Sequence, residues 1–374
     1  MRRVLLLVLA VVALVAACAA PPTPLPPAAQ VTGGYTHSCA LLISGGVRCW
    51  GQNDGGELGN GSTTDSTVSV VSMITGATGI DVGAVHTCAL MSDGSVRCWG
   101  SNHFGQVGNG TTTDSSVPVI VSGIAGATQI ATGDYHTCAL VSGGSIKCWG
   151  INQVGELGNG TLTSLSTVPL DVSGITGATE ISGGGDHTCA LMPGGSVKCW
   201  GSDGHGQLGD GTFTYSSAVP VDVAGITGAT QIAAAGQHTC ALVAGGAVKC
   251  WGWNPKGQLG DGTNTDSSVP VDVSGLTGAT QVSGGGLHTC ALVAGGALEC
   301  WGFDVVGQLG DGSNSDSNVP VVVSGLTGAT QVGSGYEHTC AVLSGGAVKC
   351  WGWNDHGQLG DGATVNSNVP VNVF

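Results

Sequence analysis

The sequence predicts an all-β fold, a seven-bladed β-propeller made of four-stranded antiparallel blades. Three observations predict it. A unit of about fifty residues recurs seven times, each unit holds four short apolar runs separated by turn residues, and no run has helical periodicity. Such a period is typical of a ring of equivalent four-stranded sheets. We assign residues 30–374 to this ring.

The fifth unit shows the strands and their order. Short apolar runs at 231–233, 238–243 and 247–251 are bounded by glycine and polar residues, which is typical of strands. The run at 219–223 is the fourth strand of the preceding unit. Proline cannot donate a hydrogen bond to a neighbouring strand, so we place the proline-containing fourth strand at the outer edge. Six units carry this proline: Pro118, Pro169, Pro220, Pro270, Pro320 and Pro370.

The repeated motif also points to a family. C-W-G-x-N-x-x-G-Q-L-G-[DN]-G-T, followed by V-P-V and G-x-x-H-T-C-A-L, resembles the repeat of the regulator of chromosome condensation family across essentially all of residues 30–374. The resemblance implies a seven-bladed propeller. Members of that family exchange nucleotides on a small GTPase, sense light or, in secreted bacterial forms, inhibit β-lactamases. The resemblance therefore implies a fold without choosing among these functions.

The first 29 residues are expected to lie outside the ring. Two arginines, an apolar run and Val-Ala-Ala are typical of a secretory signal peptide at 1–17, and the following Cys18 resembles a bacterial lipidation site. A proline-rich stretch completes the segment 18–29, which is expected to act as an extended spacer. We therefore expect export and a lipid anchor in the cell envelope, with free secretion as the alternative.

Composition narrows the classes of partner. The formal net charge is −15 and charged residues make up only 9% of the chain. An acidic surface repels phosphate backbones and anionic lipids, so we expect no nucleic-acid partner and membrane attachment only through the lipid anchor. We expect no cofactor and no metal, and we expect a monomer.

Each unit contains two cysteines ten residues apart, one in the second strand and one in the third. In units two to seven a three-residue turn containing glycine joins these strands, which makes the two cysteines face each other across a hairpin. In an oxidising compartment they are predicted to form seven disulfides within blades; structural zinc and buried free thiols are the alternatives. In the first unit the glycine pair is shifted by one position, so the pairing of Cys39 opposite Cys49 follows less directly from the turn than in the other units. The predicted pairs are Cys39 with Cys49, Cys88 with Cys98, Cys138 with Cys148, Cys189 with Cys199, Cys240 with Cys250, Cys290 with Cys300, and Cys340 with Cys350.

One histidine precedes the first cysteine of every unit. Equivalent positions in a ring are separated by the width of a blade, which argues against one shared metal site. We expect each histidine to hydrogen-bond a neighbouring backbone group at the start of its strand. The seven positions are His37, His86, His136, His187, His238, His288 and His338.

The units diverge in the loops between first and second strands and between third and fourth strands. Strands alternate in direction, so both loop sets emerge on one face, whereas the loops of the other face repeat almost unchanged. Unequally scattered aromatics are expected to anchor a partner, and Trp253, Phe303 and Trp353 occupy one position in consecutive units, where they could form one arc. The alternative is that some aromatics fold back onto the rim. The candidate binding residues are Tyr35, Phe104, Asp134, Tyr135, Asp186, Trp253, Phe303, Tyr336, Glu337 and Trp353.

The predicted function is a non-catalytic, exported binding propeller that takes a protein or a glycan on its variable face. An inhibitor of a secreted enzyme is one alternative. An extracellular hydrolase or lyase is another, for which Asp134, Asp186 and Glu337 are the candidate residues at the central shaft. Nucleotide exchange on a cytoplasmic GTPase is disfavoured by the export signal.

Overall fold

The computed structural model describes residues 24–374. The predicted signal peptide, the lipidation site Cys18 and the first half of the proline-rich spacer lie outside the described residues. The end of that spacer belongs to the propeller, because Leu25 is buried against Trp50 and the first strand begins at Ala28. Within this part of the chain no helix has the length and apolarity that a membrane crossing requires.

The described strands form seven four-stranded antiparallel sheets, which confirms the predicted fold class. Blades one to four contain β1 (Ala28–Gly33), β2 (His37–Leu42), β3 (Val47–Gly51), β4 (Ser66–Val71), β5 (Ala77–Val82), β6 (His86–Met91), β7 (Val96–Gly100), β8 (Ser115–Ile120), β9 (Ala127–Thr132), β10 (His136–Val141), β11 (Ser145–Ile151), β12 (Leu165–Asp171), β13 (Glu180–Gly183), β14 (His187–Leu191), β15 (Val197–Ser202) and β16 (Ser216–Asp222). Blades five to seven contain β17 (Ala229–Ala234), β18 (His238–Val243), β19 (Ala247–Gly252), β20 (Ser267–Asp272), β21 (Ala279–Gly284), β22 (His288–Val293), β23 (Ala297–Gly302), β24 (Ser317–Val322), β25 (Ala329–Ser334), β26 (His338–Leu343), β27 (Val348–Gly352) and β28 (Ser367–Asn372).

In each blade the first strand is innermost, and the fourth strand, which contains a proline in six of the seven blades, is outermost, as predicted. We call the face that carries the first-to-second and third-to-fourth loops the top face, and the opposite one the bottom face. Apolar side chains of neighbouring blades pack together between the sheets. One such core contains Leu259 and Val273 of blade five with Val282 and Trp301 of blade six.

All seven predicted disulfides are present, and the Cα atoms of each pair lie 4.0–4.1 Å apart. In blade five Cys240 faces Cys250 and Val243 faces Ala247, which is the predicted register. Directly opposed residues on antiparallel strands come this close at the pairs that share no backbone hydrogen bonds. The first blade keeps the same register, since Cys39 faces Cys49. Seven disulfides indicate an oxidising compartment.

The tryptophan of each C-W-G motif ties its blade to the preceding one. Trp251 is fully buried, and its Nε1 donates to the main-chain oxygen of Gln207 in the blade-four top loop at 3.0 Å. The hydroxyl of Thr239 donates to the same oxygen at 2.9 Å. The same two bonds recur at all seven joints between blades.

The repeated histidines bond to the next blade, so the expected backbone partner was wrong. Nε2 of His187 lies 2.8 Å from Oγ1 of Thr239. That hydroxyl already gives its hydrogen to Gln207, so it must accept the hydrogen of Nε2. Burial lowers the pKa of His187 to about 3, which keeps the ring neutral. The equivalent pairs are His37 with Thr87, His86 with Thr137, His136 with Thr188, His238 with Thr289, His288 with Thr339, and His338 with Ser38.

Every blade takes its four strands from one continuous stretch of chain, so no blade combines strands from both ends. Blade seven meets blade one through the bonds used at the other joints. Trp50 donates to the main-chain oxygen of Gln358 at 2.8 Å. Side-chain and main-chain contacts therefore close the ring.

Candidate functional site

A channel of about 450 Å³ runs along the axis of the ring and is lined by the seven first strands. A glutamine near the start of these strands bridges to the next blade. In blade five, Nε2 of Gln231 donates to the oxygen of Val282 at 3.2 Å, and Oε1 accepts from the Val282 amide at 2.9 Å. The same bridge joins Gln30 to Ile80, Gln129 to Ile181, Gln281 to Val332, and Gln331 to Val31.

Two blades depart from this ring of glutamines. Blade two has Gly79 at the position, which has no side chain to form the bridge. Blade four has Glu180, which accepts from the Ile232 amide at 3.1 Å but, when ionised, has no hydrogen for the Ile232 carbonyl. Burial raises the pKa of Glu180 to about 7.

Asp81 also lies in the shaft and acts as a link between blades two and three. Its Oδ2 accepts from the amide of Thr132 at 2.8 Å and from the Thr132 hydroxyl at 3.0 Å. Burial raises the pKa of Asp81 to about 6, and these bonds partly oppose the rise. The described hydrogen-bond partners of the Asp81 carboxylate, Thr32 and Thr132, belong to the first strands of the neighbouring blades and hold the shaft together. Asp81 is therefore not part of the candidate site.

The shaft opens on the top face through a ring of seven residues, each two positions before a repeated histidine. Backbone bonds join neighbours around this ring, for example from the Asp134 amide to the Gly185 oxygen at 3.1 Å. Four members are small, so the side chains at the opening come from the other three. We call this ring the shaft mouth: Tyr35, Ala84, Asp134, Gly185, Gly236, Gly286 and Tyr336.

Two tyrosines cover one side of the shaft mouth. The rings of Tyr35 and Tyr336 are stacked, with centroids 3.8 Å apart and planes 15° from parallel. A Cβ atom on Gly286 would lie 2.3 Å from the ring of Tyr336, so glycine is needed there for that ring to take its place. Burial and the neighbouring Tyr336 hydroxyl raise the pKa of Tyr35 above its usual value, and the charge of Asp134 adds to the rise.

Asp134 lies on the other side of the shaft mouth, and the exposed Asp186 follows Gly185, the shaft-mouth residue of the next blade. Burial, followed by the charge of Asp186, raises the pKa of Asp134 to about 7. Within residues 24–374 no amide or side chain donates a hydrogen bond to the Asp134 carboxylate. Tyr135 is half-buried beside this pair, and its ring meets Phe104 edge-on with centroids 5.1 Å apart. The structure thus brings together four of the predicted binding residues from blades two, three and four.

Glu337 lies apart from that pair, in blade seven next to Tyr336. Burial raises its pKa, and its main-chain oxygen accepts from the amide of Trp353 at 2.9 Å. The three acids named for the enzyme alternative are therefore divided between two sides of the ring. Among the described residues no three His, Cys, Asp or Glu side chains are grouped so that they could hold a metal ion.

The three aromatics predicted to form an arc occupy equivalent positions in blades five to seven, and all are half-buried. His205 of blade four lies 5.4 Å from the ring of Trp253, and the Nζ of Lys256 in blade five lies 5.1 Å over Phe303. Part of the ring surface of both Trp253 and Phe303 is therefore covered by a side chain of the preceding blade. Trp353 instead meets His356 of its own loop at 5.9 Å.

The top face is strongly acidic. Its loops hold one of the seven Lys and Arg residues of the described chain, Lys256, and this ammonium is paired with Asp316 at 3.2 Å. Most acidic residues of the protein lie in the same loops: Asp54, Glu57, Asp65, Asp114, Asp134, Glu156, Asp186, Asp203, Asp210, Asp261, Asp266, Asp304, Asp311, Asp316, Glu337, Asp355 and Asp361.

Two exposed aromatics of the top face were not among the predicted binding residues. Phe213 is 58% exposed and Tyr215 is 77% exposed, more than any aromatic that was named. In blade five the position of Tyr215 holds Asp266, which caps the amide of Asn254 at 2.8 Å. A position-by-position comparison of the units would have identified Tyr215 as a candidate, because this position holds a capping aspartate in blade five.

The bottom face is less uniform than expected. In blade one Ile43, Val71 and Met73 are all more than half exposed. Val71 and Met73 line a shallow, mainly apolar recess of about 500 Å³ together with Pro26 and Arg48. The position of Val71 is also exposed and apolar in blades two and six, at Ile120 and Val322, whereas the position of Ile43 holds serine, alanine or proline in the other units.

Comparisons with known proteins agree with the fold. The family model of the RCC1-like domain matches residues 73–374, and that of the regulator of chromosome condensation (RCC1) repeat matches residues 28–57. The structure resembles that of Prp20p from Saccharomyces cerevisiae, with 22% identity, a TM-score of 0.73, and coverage of 82% of this chain and 80% of that one. It also resembles human WBSCR16, with 24% identity, a TM-score of 0.79, and coverage of 88% and 94%.

Similar sequences cover shorter stretches. The human probable E3 ubiquitin-protein ligase HERC3 is 43% identical over 83 residues, which are 22% of this chain and 8% of that protein. The mouse RCC1 domain-containing protein 1 is 37% identical over 78 residues, which are 20% of each chain. The match thus spans less than a quarter of either relative's length.

Proposed function

Because the chain belongs to the regulator of chromosome condensation repeat family, we propose that it is a non-catalytic, exported module that binds a protein through its top face. The divergence of the top-face loops on an otherwise repeated frame carries this proposal. Side chains required by the fold recur in every blade, as the seven buried tryptophans do. The aromatics of the top-face loops occur in only some blades: tyrosine holds the shaft-mouth position in two of the seven, and Phe104 has no aromatic equivalent. Partly exposed aromatics are the usual anchors of protein interfaces.

The named neighbours support a protein partner over a glycan. Prp20p has been characterised for its binding to Gsp1p and histones, and it has been crystallised with Kap60. Their identity to this chain is too low to transfer a particular partner. The ligase named among the sequence relatives shares only a small part of its length with this chain, so that activity is not proposed here.

The proposed location is the cell envelope. Seven disulfides in one domain support an oxidising compartment, and the sequence around Cys18 supports lipidation as the means of retention. The full chain and its Cys18→Ala variant, expressed in a bacterial host, would separate the possibilities. If the anchor exists, the wild type will be found in the membrane fraction, and mass spectrometry of its N-terminal peptide will show the added mass of a lipid. Equal release of both proteins into the medium would contradict the anchor and support simple secretion.

The binding proposal is tested by capture with the full exported chain from native extract, followed by mass spectrometry. The top-face variant combines Trp253→Ala, Phe303→Ala and Trp353→Ala, and a second one combines Tyr35→Ala with Tyr336→Ala. Matched bottom-face changes, Ile43→Ser with Met73→Ser, serve as the control. We expect a protein that the wild type and the control retain and that at least one top-face variant loses, at an unchanged melting temperature. Retention by both top-face variants would refute binding through these residues.

A further inference from the structure

We propose that the shaft mouth receives a basic side chain, lysine or arginine, from the protein partner. This inference rests on the proposed function and specifies the chemistry of the contact. It concerns the recess between the stacked tyrosines Tyr35 and Tyr336 on one side and the carboxylate of Asp134 on the other, all three of which line the mouth of the channel. The exposed Asp186 adds its negative charge nearby.

The first argument is the state of the Asp134 carboxylate. It is partly buried at the shaft mouth, and no amide or side chain within the described chain donates a hydrogen bond to it. A carboxylate in such a position normally has a donor or a counter-ion, because burying it alone is costly. The neighbouring charge of Asp186 increases that cost. A cation beside Asp134 would supply the counter-ion that the described chain does not provide.

The second argument is the space and the surfaces around that carboxylate. Ala84, Gly185 and Gly236 are the other shaft-mouth residues beside it, so no side chain of their own fills the opening above them. Tyr35 is close enough to Asp134 for the acid to raise its pKa. An ammonium or guanidinium beside a carboxylate and an aromatic ring gains from both, and guanidinium can also stack on the ring.

The third argument is that the chain has no cation of its own for this place. Lys256 is the one Lys or Arg in the described top-face loops, and it is held against Asp316 and the ring of Phe303. The surrounding acidic loops would attract a positively charged surface and speed its approach. The acidic loops attract any positively charged surface, whereas the recess at the shaft mouth provides one defined position for a basic side chain.

The test uses a peptide probe, so it does not depend on finding the natural partner. Acetyl-Gly-Arg-Gly-amide and acetyl-Gly-Lys-Gly-amide are titrated into the full chain, with acetyl-Gly-Gln-Gly-amide as the neutral control. Amide chemical shifts of Gly185, Gly236 and Gly286 report the site. We expect a dissociation constant of about 1–10 mM for the basic peptides, as befits one charged side chain, and no saturable shift with the neutral one.

Three variants decide the assignment. Asp134→Asn keeps the shape and should weaken binding about fivefold or more. Tyr336→Leu should weaken it about threefold. Asp355→Asn removes an exposed top-face charge outside the mouth and should change it less than twofold. Equal losses for Asp134→Asn and Asp355→Asn, or shifts that map elsewhere, would mean diffuse attraction and overturn the proposal. Loss of partner capture in the top-face variants with no peptide binding would refute this inference while leaving the proposed function intact.

Discussion

Nε2 of His338 lies 2.7 Å from Oγ of Ser38, and this bond joins residues 300 positions apart where the last blade meets the first. The serine hydroxyl also donates to the main-chain oxygen of Gln358 at 2.9 Å, so both partners belong to blade seven. At the six other joints a threonine holds this place. The closing joint of the ring thus uses the same chemistry as the rest with one methyl group fewer.

Ser38→Ala is expected to lower the free energy of unfolding by about 1–3 kcal/mol, because it leaves the buried Nε2–H of His338 without an acceptor. Ser38→Thr is the matched control, since it restores the side chain of the other joints. Urea denaturation measures the stability, and hydrogen exchange in β1 reports whether the joint opens. Equal stability of Ser38→Ala and the wild type would show that the hydroxyl contributes nothing to closure.

Glu180→Gln is expected to stabilise the protein by about 1–3 kcal/mol at pH 8, because glutamine can donate to the Ile232 carbonyl as well as accept from its amide. The folded-state pKa of Glu180 is raised from 4.5 to about 7, so its ionisation costs stability above pH 7 and that cost disappears as pH falls to 4.5. The gain should therefore be large at pH 8 and absent at pH 4.5 in thermal melts. Glu299→Gln, on the outer half of blade six, should have no such effect; an equal gain there would contradict the argument.

Asp134→Asn is expected to raise the melting temperature at pH 8, although it weakens the proposed contact with a basic side chain. The raised pKa of Asp134, about 7 against an ordinary 3.8, means that the ionised form destabilises the fold above pH 7. The difference between variant and wild type should shrink as pH falls to about 4. Scanning calorimetry at several pH values measures it. A less stable variant at pH 8 would show that Asp134 has a structural donor after all.

Acid is expected to unfold the ring through its seven buried histidines. Their pKa values fall from 6.5 to between about 3 and 4, so the stability that they contribute is complete above pH 6.5 and is lost as pH falls toward 3. Carboxyls with raised pKa values, such as Glu57 and Glu156, act in the opposite sense between pH 7 and 4.5. Melting temperatures should therefore change little down to pH 4.5 and then drop steeply. A maximum at pH 3 would refute this account.

The pair of substitutions Cys240→Ala and Cys250→Ala is expected to lower the free energy of unfolding by about 2–4 kcal/mol, because the unfolded chain loses one closed loop. The bond lies in the middle of a blade and far from the top-face loops, so binding should be retained. Denaturant titration with and without a thiol reductant measures the effect. If the wild type were no less stable in reductant than without it, the disulfides would not support the fold.

The sequence predicted the parts of this structure that repeat. Hairpin register followed from the position of Gly245, and the edge strand followed from Pro220, because backbone geometry leaves few alternatives at these residues. The partner of His187 could not be predicted, since it belongs to the next blade and depends on how far one sheet turns relative to another. The closeness of Asp134 to Asp186, and of Tyr35 to Tyr336, likewise depends on ring geometry, and 301 residues separate the two tyrosines in the chain.

Because each blade is built from one uninterrupted stretch of chain, the position of the two chain ends is not dictated by the sheets. Many rings are clasped by a blade that borrows a strand from the opposite terminus, and their length is then difficult to change. Here every joint consists of the same histidine, hydroxyl, carbonyl and tryptophan, so a whole unit could be duplicated, or the termini moved to another joint by circular permutation, without rewiring any sheet. The repeated frame therefore tolerates added units and moved termini. Each such change would alter which top-face loops lie next to one another, so it would be expected to change binding more than folding.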